Sequence, residues 1–202
     1  MNEKRTILGL IGGLAVVYLL DAVVRAALDG FVGSDIIASG VVFQSLLLGY
    51  AVLAFNRLEM DILIDFPDRD ALLDVVFVVF VSSVITFGAA SIFYTPSISI
   101  RVLTPLTVVG LVSVHSLIVF APLAEELFFR GMLYPLLKTQ FSVGAAMGVV
   151  SVVFALSHLT GGLGLFLTLL SGLFYVWLYE KHGNLTVPIL AHALENMIGV
   201  VW

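Results

Sequence analysis

Apolar runs long enough to cross a lipid bilayer follow one another along nearly the whole chain, and they leave few folds open to it. Thr6 to Leu28, Ile36 to Phe55 and Ala71 to Tyr94 each reach about the 20 residues a helix needs to traverse the hydrocarbon core. In that medium every backbone N–H and C=O must be satisfied within the protein, which restricts spanning structures to helices and closed barrels. The runs here are continuous rather than alternating, so helices are expected. With 60% hydrophobic and 11% charged residues and a mean hydropathy of +1.14, the chain cannot clothe a soluble domain in polar surface. The fold class expected is all-α, a polytopic transmembrane bundle of about seven spans, with six to eight as the range short loops allow.

Further runs of this kind are Val102 to Leu137, Val143 to Thr160, Leu163 to Tyr179 and Leu185 to Trp202. Val102 to Leu137 is too long for one simple crossing, and Pro105 and Pro122 predict a break or kink within it. Pro188 falls in the first turn of the last run, where proline is tolerated. The first run is long and contains Asp21 and Arg25, so it reads as a retained span rather than a signal peptide, with those two charges paired across one helical turn. The most polar stretch, Asn56 to Asp70, spaces Leu58, Ile62, Leu63 and Phe66 as an interfacial helix would, ended by Pro67. Asp29 to Asp35 and Thr95 to Arg101 are short connections, and Trp177 and Trp202 lie near span ends, as interfacial aromatics do. Threading the spans with the N-terminus in the cytoplasm puts Lys4, Arg5, Arg57, Arg69, Lys138 and Lys181 inside and only Arg101 outside, in accord with the positive-inside rule. The expected location is a cell membrane, that of a prokaryote.

A net charge of −5 argues against a nucleic-acid partner, and the absence of cysteine removes disulfides, thiolate metal sites and a thiol nucleophile. Against this background the polar side chains inside apolar runs are informative, because ionisable groups in hydrocarbon are costly and usually face a cavity with a function. Three places hold them: Glu125, Glu126 and Arg130 in APLAEELFFRGMLYPLL, His158 in SVVFALSHL, and His192, Glu195 and Asn196 in PILAHALENMIG. All lie on the order of 10 to 27 Å from the nearest cytoplasmic loop at helical rise. Glu126 and Arg130 are four apart and can pair, a role more often structural than chemical, while Glu125 points about 100° away. His192 and Asn196 share a face, and Glu195 is read as facing elsewhere. His115 reads as a packing residue, and Phe154, one turn before His158, as packing that orients the ring. A carboxylate beside imidazole, shielded from bulk water, can activate a water molecule directly or through a metal ion.

EELFFR resembles the EExxxR motif of the CPBP family, the CAAX-prenyl-protease-like and bacteriocin-processing (Abi) intramembrane endopeptidases. FALSH is similar to that family's FxxxH and HALEN to its HxxxN, in the same order, over Leu117 to Trp202. The resemblance implies that Glu125 and His158 activate the attacking water, that His192 and Asn196 stabilise the oxyanion, and that Glu126 and Arg130 support the site. It implies a membrane-embedded or membrane-anchored polypeptide as substrate. The chain is then one membrane domain, 1–202, with motif-free N-terminal spans over 1–100 and a protease-like core over 101–202. Zinc or another divalent metal held by Glu125, His158 and His192 is one route, and metal-free catalysis by the same residues is the other. Other intramembrane designs lack their signatures: no histidine is followed by glutamate, IASG and LLSG lack the first glycine of GxSG, and Leu165 follows Gly162–Gly164 where GxGD needs aspartate. A membrane scaffold without activity and a proton-coupled transporter are the alternatives, the latter expected to show repeated halves that this chain lacks.

Overall fold

Hydrocarbon demands that each backbone amide find its partner nearby, and the apolar runs meet that demand as helices. The computed structural model describes residues 3–28, 40–93 and 114–201. Helices α1 (Glu3–Leu28), α2 (Val41–Leu58) and α3 (Arg69–Phe93) are followed by a helical run over 116–138, here α4, and by α5 (Val143–Ser157), α6 (Leu163–His182) and α7 (Thr186–Val201). The all-α expectation therefore holds, with no strand among the described residues. α1, α2, α3 and α6 are long and apolar enough to cross a membrane, and α5 is a shorter apolar helix. Many large apolar side chains point outward, Phe77, Phe80 and Ile92 among them, a surface suited to lipid. The protein is a multi-pass membrane protein. The expected connections over 29–35 and 95–101, Pro105 and Trp202 lie outside the described residues.

The chain forms two compact units, one from Met1–Asp61 with Leu103–Gln140 and the other from Ile62–Val102 with Phe141–Trp202. In the first, Ile7, Leu10, Leu14 and Val17 bury one stripe of α1 at the three- and four-residue spacing of a helix face. α1 and α2 approach closely at Gly13, where a Cβ would run into the Tyr50 ring. The expected pair forms in α1, with Arg25 Nε 2.7 Å from Asp21 Oδ2.

α4 shows why Pro122 does not break this unit's motif helix. A proline removes one helical hydrogen bond and its ring crowds the carbonyl four residues back. The wider π-helical turn Ser116–Phe120 ends just before Ala121–Phe128, whose second residue is Pro122. The same device recurs at Phe129–Leu133, followed by Tyr134–Lys138 with Pro135 second. Helical character is thus continuous, with π turns absorbing both prolines.

In the second unit α5 and α6 pack tightly at Gly172, where a Cβ would sit 3.1 Å from Phe154 and 3.3 Å from Ser151. α3 starts at Arg69 because Asp68 Oδ1 accepts the Ala71 N–H at 2.8 Å, an N-cap. The expected interfacial helix over 56–70 is not formed. α2 runs on to Leu58, Glu59 turns left-handed at φ 50°, and 60–68 is extended or irregular. Within the second unit the Leu185 N–H donates to the Leu63 carbonyl at 2.9 Å, and Asn184 Nδ2 donates to the Asp65 carbonyl at 3.0 Å. These long-range bonds satisfy backbone groups that a surface helix would have paired internally, and they override the apolar spacing. Asp74 on α3 receives both Lys181 (2.6 Å) and His182 (2.7 Å) from the end of α6.

Candidate active site

His158 follows the last residue of α5, and its place in FxxxH fixes its ring. Nδ1 lies 2.8 Å from the Phe154 carbonyl oxygen, which can only accept, so Nδ1 carries the proton. In the neutral ring Nε2 then keeps its lone pair and is the atom able to take a proton. The Phe154 ring, fully buried, lies 4.6 Å from the imidazole, which confirms it as the packing residue that orients His158. The same ring lies nearly perpendicular to that of His192, at 82° with centroids 6.0 Å apart.

His192 is buried on α7. Tyr175 of α6 stacks on it, centroids 4.8 Å apart and planes 17° from parallel. The Tyr175 hydroxyl donates to Glu195 Oε2 at 2.7 Å, and the Ser171 hydroxyl donates to the same oxygen at 3.0 Å. A cavity of about 260 Å³ within the second unit is lined by His158, His192, Glu195 and Asn196 together with Tyr175 and Phe154. Three of the expected site residues are therefore brought together. Glu195 joins them, which corrects the expectation that it faces elsewhere: at three residues from His192 it is on the same broad face of α7 as Asn196.

Glu125, Glu126 and Arg130 lie on α4 in the first unit. Glu126 Oε1 accepts from Arg130 Nη1 at 2.9 Å with both side chains wholly inaccessible, the expected pairing. Glu125 is buried, and Gln44 of α2 donates from Nε2 to its Oε1 at 2.8 Å. Gln44 escaped sequence reasoning, although an amide in the apolar run VVFQSLLLGY was a signal of the same kind as the charged motif. His115 lies edge-on to Phe120 at 5.4 Å, as a packing residue does. Within neither unit do three His, Asp or Glu side chains among the described residues group as a zinc site requires.

Residues 107–198 match the family described as type II CAAX prenyl endopeptidase, Rce1-like. That match takes in all three motifs. Over this region the chain is similar to that family. It is also 30% identical over 115 residues to CAAX prenyl protease 2 of Arabidopsis thaliana, an alignment covering 47% of this chain and 37% of that protein. The chain thus spans well under half the length of this relative. No solved structure matches it.

Proposed function

We propose that this protein is an intramembrane endopeptidase that hydrolyses a peptide bond of a membrane-associated polypeptide with an activated water. The observation that carries the reading is the convergence of His158, His192 and Asn196 on one cavity, all within the stretch similar to the type II CAAX prenyl endopeptidase family. The family resemblance assigns activation of that water to Glu125, which takes its proton, and to His158, whose Nε2 supports the transfer. The resulting hydroxide attacks the carbonyl carbon, and the electron pair moves to the carbonyl oxygen. N–H groups of His192 and Asn196 stabilise that oxyanion. Collapse of the tetrahedral intermediate breaks the C–N bond, and the proton held by Glu125 passes to the departing amine. Gln44 holds one Glu125 oxygen, which fixes the carboxylate for both transfers. The substrate must expose its carbonyl, so a helical substrate has to unwind locally. The basic residues of the loops favour a cytoplasmic N-terminus.

The assignment of Asn196 is tested by Asn196→Ala. Loss of one oxyanion donor should lower kcat by about 10² to 10³ with little change in KM. Cleavage at the wild-type rate would remove Asn196 from the mechanism. Repeating the assay of the wild type with a chelator decides whether a divalent metal takes part.

A further inference from the structure

The network around Glu195 is not used by the reaction just described, yet it touches His192 through one intermediary. Tyr175 places its ring flat on the imidazole and its hydroxyl on Glu195 Oε2, while Ser171 donates to the same oxygen. A stacked ring is free to slide in its plane unless its far end is held. Here that end is tied to a carboxylate on the helix that carries His192, three residues further on. A hydrogen bond with a charged partner is stronger than a neutral one, and in a low-dielectric interior it is stronger still. Phe154 also packs on the imidazole, nearly perpendicular to it at 82°, so two aromatic rings confine it.

We propose that Tyr175 and Glu195 form a hydrogen-bonded clamp that positions the His192 ring, and that both are positioning residues for the oxyanion site. The clamp rests on the proposed role of His192, and it deepens that role: α6, which carries no motif, sets the orientation of a motif residue on α7. The clamp also accounts for a carboxylate at position 195 inside an apolar helix, since Glu195 serves the ring and needs no contact with substrate.

The test uses the full-length protein in lipid, with Tyr175→Phe, Glu195→Ala and the double variant. Tyr175→Phe keeps the stack and loses the hydroxyl, and Glu195→Ala loses the acceptor. Each should lower kcat about 10- to 100-fold with KM nearly unchanged, the effect of losing a hydrogen bond to a charged group. The double variant should be no slower than the worse single one, because both remove the same bond. A readout independent of cleavage comes from the imidazole signals of isotopically labelled histidine, which are assignable because the chain has 4 histidines. The His192 signals should shift or broaden in all three variants while those of His115 and His182 stay in place. Wild-type His192 signals in Tyr175→Phe, or losses that multiply in the double variant, would overturn the clamp. Ring signals that respond as expected in a protein that cleaves nothing would uphold the clamp and count instead against the endopeptidase reading.

Discussion

Glu125→Gln should reduce turnover by about 10² to 10⁴ while leaving the folded protein intact, because an amide of the same shape cannot take a proton from water. It is the largest catalytic effect expected of any single substitution. Glu125 is buried and one of its oxygens is already held by Gln44 at 2.8 Å, so the glutamine variant can keep a hydrogen bond to that neighbour. Loss of activity without loss of stability is the expected signature, read from steady-state cleavage and thermal unfolding on the same preparation. Gln44→Leu should show a smaller loss in the same direction, since it leaves the base in place and removes only its support. A Glu125→Gln protein as active as the wild type would dismiss the general base.

The second large effect concerns stability. Glu126→Ala should destabilise the protein by about 3 to 5 kcal/mol, because it removes the carboxylate bonded at 2.9 Å to a wholly inaccessible guanidinium. Replacing both residues at once, Glu126→Met with Arg130→Leu, should recover much of that loss, since neither member of the pair then leaves the other's charge unpaired. Denaturation in mild detergent or lipid provides the comparison. Equal stability of Glu126→Ala and the wild type would mean that water reaches Arg130 on removal of its partner. The π-helical turn Phe129–Leu133 carries Arg130, so a hydrogen-exchange increase confined to 129–133 in Glu126→Ala would locate the damage there.

The helices were legible because hydropathy is a local property. α1, α3 and α6 fall within a few residues of the runs that predict them, and the pair Asp21–Arg25 follows from spacing alone. His158, His192 and Asn196 could be read for a related reason: each is a polar residue in an apolar helix, which almost nothing but a cavity explains. The misses share a different cause. Residues 60–68 have the spacing of an amphipathic helix, but their backbone pairs with the turn at Asn184, more than a hundred positions away. Gln44 acquires its meaning from Glu125, 81 residues on. Glu195 was misjudged because a single helix-face argument treats a cavity as a line. The cavity of about 260 Å³ is wide enough to admit residues three and four positions from His192 together. Tyr175 gave no sign at all, since an aromatic residue in an apolar span is unremarked until its stacking partner is known.

The central claim is that water, activated by this protein, cleaves a peptide bond in a membrane-associated polypeptide. The most direct measurement is incubation of the purified protein in lipid with a library of membrane peptides in ¹⁸O-labelled water, with Glu125→Gln alongside, followed by mass spectrometry of newly formed C-termini. The account predicts new termini carrying one ¹⁸O atom in the wild type and their loss in Glu125→Gln. Termini formed equally by both proteins, or none formed by the wild type while it binds those peptides, would contradict it.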